Sequence, residues 1–280
     1  MRAPLAVLVT GCSSGIGKAT ALEAASRGHE VFATARSRES LEELERHPGI
    51  HALALDVTDA ASIQAAVAAA LERAGRVDAL VNNAGYGQYG AVEDVTPEQW
   101  RRQFEVNLFG AIEATRAVLP AMRERRRGTI VNVSSVGGKI AIPFAAPYCA
   151  SKHALEAVSD CLRVEVASFG IRVVVIEAGP IASRFSERAR AGVERLLAGS
   201  GPYSPFYRNA ERAMDTDFQA GRLPAEAVGR VVVRAIESPN PRTRYRITRM
   251  ARILIPLRRL LPDRFVDRRM KKTLKLPDRI

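Results

Sequence analysis

The chain has 280 residues, 47% hydrophobic and 26% charged, which excludes a disordered or collagen-like polymer. Its 42 Lys and Arg against 30 Asp and Glu leave a net charge of +12, raising nucleic acid or an acidic membrane as partners. That charge is local: residues 242–280 hold 14 basic and 3 acidic side chains (+11) and the other 241 residues hold 28 and 27 (+1), so a binding fold with one whole positive face does not fit.

The first half alternates short apolar runs with helical patterns. Leu5–Thr10 reads as a buried strand, followed by a glycine-rich turn and a helix to about Arg27. Glu30–Ala35 is a second strand, Ser40–Arg46 a short helix and His51–Leu55 a third strand. Asp59–Ala74 is an Ala-rich helix with Asp59 as N-cap, and Ala79–Asn82 a fourth strand. Helices over Pro97–Gln103 and Asn107–Arg125 precede a fifth strand, Thr129–Val133. Pro147–Phe169 is a long helix and Arg172–Ile176 a sixth strand. The strands are continuous apolar runs, as expected where helices cover both faces of a parallel sheet. Such alternation implies right-handed βαβ units.

After Gly179 the pattern changes. Ser183–Ala198 reads as helical, Gly199–Pro205 as a loop, and a further helical stretch reaches about Gln219. Pro224–Glu237 is a helix and Tyr245–Thr248 a last strand. No linker separates these parts, so residues 1–248 read as one domain, with helices of 183–221 inserted over one edge. Leu196, Leu197, Phe206, Tyr207, Met214 and Phe218 line a pocket there or form the insertion's own core.

Three cysteines, Cys12, Cys149 and Cys161, form no CxxC pair, and no His cluster has metal spacing. A zinc site or disulfide framework is not expected, and a reducing cytoplasm is. The N-terminus lacks a signal-peptide pattern, and no run approaches about 18 apolar residues, so no spanning helix is expected.

Four constellations carry chemistry. Thr10-Gly11-Cys12-Ser13-Ser14-Gly15-Ile16-Gly17 follows the first strand and opens a helix. Its glycines permit close approach of a phosphate, which the helix N-terminus stabilises. Asn82-Asn83-Ala84-Gly85 closes the fourth strand, and Ser134-Ser135 ends the fifth. Tyr148 and Lys152 form a YxxxK pair, i,i+4 neighbours on one helix face. A phenol beside an ammonium is expected to have a lowered pKa, suiting a general acid/base.

Together TGxxxGIG, NNAG, Ser135 and YxxxK, in this order over residues 4–248, strongly resemble the short-chain dehydrogenase/reductase family. The resemblance implies a Rossmann-like, doubly wound parallel sheet of seven strands in order 3-2-1-4-5-6-7. It implies that Tyr148 exchanges a proton with the substrate oxygen, that Lys152 lowers its pKa and holds the nicotinamide ribose, and that Ser135 polarises the substrate oxygen. Ser134 is the alternative if register slips by one. Asn107 matches the residue holding a relay water toward Lys152. Gly11, Ser13, Ser14, Gly15 and Ile16 would surround the pyrophosphate, Asp56 and Val57 the adenine, and Asn83, Ala84 and Gly85 the crevice wall. Ile181 and Ser183 would join Tyr148 and Lys152 at the nicotinamide end.

After strand two, Ala35 stands where an NAD enzyme wants a carboxylate, and Arg36 and Arg38 follow. A guanidinium grips a 2′-phosphate, so NADP(H) is expected. Gly179-Pro180-Ile181-x-Ser183-x-Phe185, with Tyr86-Gly87-x-x-Gly90, resembles hydroxysteroid and retinol dehydrogenase-like members, although Ala178 replaces a common Pro. The expected reaction is hydride transfer between NADP(H) and a lipophilic, steroid- or retinoid-like alcohol or carbonyl. Reduction of a 3-oxoacyl thioester or small ketone is the alternative, and an idle NADP-binding, membrane-associated scaffold the non-enzymatic one. By analogy the family implies a homo-oligomer.

The segment 249–261 places Met250, Ile253, Leu254, Leu257, Leu260 and Leu261 on one helical face, with Arg252, Arg258 and Arg259 beside it. Two readings of this extension, 249–280, stay open: a helix packed on its own domain or a subunit neighbour, and a helix on an anionic bilayer. With no aromatic interleaving beyond Phe265, nucleic acid is not an expected partner.

Overall fold

The computed structural model describes residues 3–182, 196, 201–209 and 222–276. Seven parallel strands form the central sheet: β1 (Ala6–Val9), β2 (Glu30–Ala35), β3 (Ile50–Ala54), β4 (Ala79–Asn82), β5 (Gly128–Ser135), β6 (Ile171–Ala178) and an edge strand, Arg244–Arg246. A two-residue pair, β7 (Ile181–Ala182) with β8 (Leu223–Pro224), stands apart, so the edge strand is β9. The order is β3-β2-β1-β4-β5-β6-β9. The order expected from the resemblance is therefore the observed one, with the last strand shifted slightly toward the N-terminus.

Alternation along the strands builds two cores. Val7, Val9, Val31, Ala33, Val131 and Val174 face one side, where α1 (Gly15–Ser26) and a later helix, Ala225–Glu237, pack. Leu8, Phe32, Ile130 and Val173 face the other, against α3 (Ala60–Ala74) and α5 (Gly110–Glu124). The inner strands β1, β4, β5 and β6 are buried on both faces, which is why they read as largely apolar runs, whereas the edge strands β3 and β9 are partly exposed. A short α2 (Glu42–Glu45) lies between β2 and β3. Asp59 does cap α3, accepting from the Ala61 N–H at 2.9 Å. Thr96 and Gln99 form a reciprocal capping box on α4 (Pro97–Phe104).

One helix boundary differs from the sequence pattern. The break expected between Gln103 and Asn107 is absent; α4 runs into α5 through a π-helical turn, Glu105–Phe109. Such turns are rare and are found mostly at functional positions. α6 (Ala146–Glu165) stops before a 3₁₀ turn, Ala167–Phe169. Ala225–Glu237 is α7, and the chain ends in α8 (Arg249–Leu260) and α9 (Asp263–Thr273).

The order of strands reverses between β1 and β4, and the carboxyl ends of β1, β4 and β5 open on that crevice, where sheets of this type bind ligands.

Candidate active site

The turn after β1 is locked to the end of β4. Thr10 Oγ1 accepts from the Asn83 and Ala84 N–H groups, each at 3.0 Å. Asn83 Nδ2 donates to the carbonyls of Thr10 at 2.8 Å and Gly11 at 3.1 Å. Gly11 has φ +74°, and a Cβ on Gly17 would collide with the Gly11 carbonyl and lie 2.6 Å from Asn83 Nδ2. Only glycines allow this turn to lie so close to its neighbours. Ser14 opens α1 in extended backbone without a side-chain cap, and the first turn holds no acidic residue. The first N–H groups of α1 thus keep their capacity for an anion, so the turn fits a dinucleotide's pyrophosphate. Ser13 and Ile16 lie half-buried in this turn.

Farther along the crevice, Arg36 follows β2 on the surface and has no carboxylate within 4.0 Å among the described residues. Arg38 is different: it pairs with Glu45 at 2.5 Å and donates to the Ala52 carbonyl. Of the two arginines expected to face a phosphate, Arg38 is engaged by protein partners and Arg36 is not paired with a carboxylate among the described residues. Asp56, after β3, is held below the usual carboxylate range. Partial burial opposes this, but hydrogen bonds from the Thr58 N–H and hydroxyl and the charges of Arg102 and Arg36 outweigh it. Val57 lies against Gly110 of α5.

Ser135 ends β5, and Tyr148 and Lys152 sit on the first turns of α6, all buried or half-buried. The Tyr148 hydroxyl is hydrogen-bonded to Ser135, whose Oγ also accepts the Gly137 N–H at 3.1 Å. Ser134 points into the interior, where its Oγ has no partner among the described residues. Geometry therefore brings Ser135 to the tyrosine, not Ser134. Lys152 Nζ donates to the Val133 carbonyl at 2.8 Å.

The expected lowering of the phenol pKa is not what this arrangement produces. Burial pushes Tyr148 up to about 12, and the Ser135 hydrogen bond offsets only part of that. Burial likewise pushes Lys152 down to about 8, against the opposing charge of Glu156. Desolvation acts on both partners of the YxxxK pair and outweighs their proximity, so the neutral phenol is strongly favoured.

Asn107 lies in the π-helical turn, fully buried. Its Oδ1 accepts the Tyr86 N–H at 3.0 Å, and its Nδ2 donates to the Tyr86 carbonyl at 2.9 Å and to Ser151 Oγ at 3.3 Å. A Cβ on Gly85 would meet Asn107 Oδ1 at 3.1 Å and Lys152 Nζ at 3.7 Å, so both converge on the NNAG turn. Gln103 completes the clamp, donating to the Tyr86 carbonyl and accepting from the Gln88 N–H. Ile181 is buried in β7; Ser183, with Leu197, Met214 and Phe218, lies outside the described residues. Tyr207 donates toward Asp94 and accepts the Ala91 N–H at 2.8 Å, holding 201–209 to the chain beyond the NNAG turn.

A buried ion-pair network behind Lys152 escaped the sequence reading. Glu156 pairs with Lys139 at 2.9 Å and Arg244 at 3.0 Å; Arg244 also reaches Asp160 at 2.6 Å; Glu177 pairs with Arg246 at 2.9 Å. Two signals pointed to it: Glu156 stands four residues after Lys152, and Glu177 ends an otherwise apolar run. Arg244 and Arg246 thus leave the free charge of the C-terminal segment. Cys12 is buried and its thiol is pushed up to about 12 by that burial, in keeping with a packing role.

A family model described as short chain dehydrogenase matches residues 5–194. The chain belongs to the short chain dehydrogenase family. It is 33% identical to a 3-ketodihydrosphingosine reductase of Bacteroides thetaiotaomicron over 265 residues, 94% of this chain and 96% of that protein. It is 34% identical to an NADPH-dependent 3-dehydrocapnine reductase of Ornithobacterium rhinotracheale, over 96% of each. The crystal structure of a short-chain dehydrogenase from Streptomyces avermitilis superposes with a TM-score of 0.80 at 32% identity, covering 99% of this chain and 98% of that one. The protein is accordingly a short-chain dehydrogenase-type oxidoreductase that takes a nicotinamide cofactor.

Proposed function

We propose that the protein is an NADP(H)-dependent carbonyl reductase acting on a lipophilic ketone, with the reverse alcohol oxidation carried by the same residues. The observation that carries this reading is the buried, protonated Tyr148 phenol hydrogen-bonded to Ser135 at the carboxyl end of β5. It is a proton donor beside a hydroxyl that can polarise a carbonyl oxygen.

Tyr148 gives its hydroxyl proton to the substrate oxygen in reduction and takes it back in oxidation. Ser135 holds that oxygen. Lys152, whose ammonium donates to the Val133 carbonyl, holds the nicotinamide ribose hydroxyls in this reading. Because the Asn107 side chain is engaged by Tyr86 and Ser151, its backbone is left to seat the relay water toward Lys152. Gly11, Ser13, Ser14, Gly15 and Ile16 cradle the pyrophosphate, Arg36 takes the 2′-phosphate, Asp56 and Val57 meet the adenine, and Asn83, Ala84 and Gly85 wall the crevice. Ile181 and Ser183 complete the nicotinamide end. The bound cofactor supplies the hydride, and the protein supplies orientation and the proton.

Residues 1–248 form the catalytic unit in this reading, in a cytoplasmic protein with reduced cysteines; most of the expected insertion, 183–221, lies outside the described residues. The names of the two relatives, both reductases of a 3-oxo compound, support a long-chain ketone over a steroid- or retinoid-like one. The test is NADPH consumption over a panel of long-chain 3-ketones, steroids, retinal and 3-oxoacyl thioesters. Turnover highest on the long-chain ketones is expected. Preference for the thioesters would replace the substrate reading, and absence of turnover on the whole panel would overturn it.

A further inference from the structure

The C-terminal helices lie on the body with the wrong face for simple packing. On α8, the narrow stripe of Ala251 and Ile255 is buried against Val136 and Ile140, in the segment directly after Ser135. The wide apolar stripe points elsewhere: Ile253 is 51% exposed, Leu257 41% and Leu260 81%, with Leu254 beside them. At about 100° per residue, Ile253, Leu257 and Leu260 cluster within one sector, and Ala251 and Ile255 fall on the opposite side. Neither the core nor a described neighbour takes up the larger stripe.

Charge surrounds it. Residues 249–280 hold eleven basic and three acidic side chains, a net of +8. Arg258 pairs with Asp263 at 2.6 Å, but Arg249, Arg259, Arg264, Arg268, Arg269 and Lys272 have no carboxylate within 4.0 Å among the described residues. On α9, Phe265 is exposed and shares its helix sector with Arg269 and Lys272.

We propose that α8 and α9 form a docking surface for an anionic lipid bilayer, with Ile253, Leu254, Leu257, Leu260 and Phe265 entering the headgroup boundary and the arginines meeting lipid phosphates. An apolar sector rimmed by cations is what such an interface accepts. A second copy of the chain is disfavoured as the occupant because it would set one +8 surface against another. Docking brings the bilayer to the element that packs on Val136, one residue from Ser135. The inference does not depend on which substrate the site reduces.

The test uses the full chain in sedimentation with vesicles of phosphatidylcholine alone and of phosphatidylcholine with about one-third phosphatidylglycerol. Two variants and one further condition accompany it: the triple Ile253→Ser, Leu257→Ser, Leu260→Ser; the triple Arg259→Gln, Arg264→Gln, Arg268→Gln; and the wild type at raised salt. Binding to the anionic vesicles is expected, lost at about 0.5 M salt and reduced at least about tenfold in both triples. Turnover of a water-soluble ketone should be unchanged in both, which reports an intact fold and separates this inference from the substrate reading. The arginine triple alters only exposed polar positions and serves where the apolar triple does not fold. No binding to anionic vesicles at low salt would overturn the proposal. So would undiminished binding by the triples, or a solution dimer that the apolar triple abolishes.

Discussion

The edge around Ser135, Tyr148 and Lys152 and the segment 249–273 use the same residue types in opposite ways. Around the site, charges are buried and paired: Glu156 and Glu177 are enclosed and met by Arg244 and Arg246. In the C-terminal helices most charges are solvated and the larger apolar stripe is exposed. At the site, desolvation is the dominant electrostatic force, raising Tyr148 and lowering Lys152. On the tail, exposed charges act through their sum. Burial decides whether a basic residue tunes chemistry or marks a surface.

The largest expected effect tests the buried side. Tyr148→Phe removes the proton donor and keeps the ring, so kcat should fall about 10²- to 10⁴-fold with cofactor affinity retained, as read by steady-state kinetics and cofactor titration. Activity that survives the change would remove Tyr148 from the mechanism. Next comes Ile255→Ala, which opens a cavity where α8 meets Val136 and Ile140; it should cost about 2–4 kcal/mol in denaturant unfolding. Leu260→Ser, five residues on and exposed, should stay within about 0.5 kcal/mol, the smallest effect in the series. Similar losses at both positions would erase the contrast between the two faces of the helix.

Between these extremes lie two electrostatic changes. Arg36→Ala should weaken NADPH binding about 10- to 100-fold and NADH binding far less, because only the former loses a charge-assisted contact to a 2′-phosphate. Equal loss for both would take Arg36 off the phosphate. Lys152 provides the pH test. Its folded pKa of about 8 lies below the ordinary 10.5, so the buried ammonium opposes folding below about pH 8 and that penalty is relieved as pH rises toward 10.5. In the reducing direction, kcat/KM should decline as pH rises through about 8, where the ammonium is lost while Tyr148 stays protonated. Glu156→Gln removes the carboxylate that supports the ammonium, so the inflexion should move lower. An unmoved inflexion would assign it to another group.

The glycine turn, the NNAG turn, Ser135 and the YxxxK pair were legible because each is a local pattern read in the context of a strand or helix. The network of Glu156, Asp160, Glu177, Arg244 and Arg246 was not, because its members come from α6, β6 and β9 and meet only when the sheet closes. The π-helical turn at Asn107 was missed for a related reason: no residue type demands it, and it arises where Asn107 and Gln103 bind the Tyr86 backbone.

By itself, the sequence determined the alternation of apolar strands with helices and the motifs at the strand ends, and through the resemblance those motifs carry it implied the family and the seven-stranded order. Apolar runs, glycine spacing and helix periodicity are properties of neighbours along the chain. Only the tertiary structure decided that Ser135 meets Tyr148 while Ser134 turns inward, that Arg36 stays available while Arg38 is taken by Glu45, that the phenol pKa goes up, and that α8 buries its narrow stripe. Each of these depends on which groups lose water and which partners arrive from distant segments, and neither is encoded by spacing along the chain.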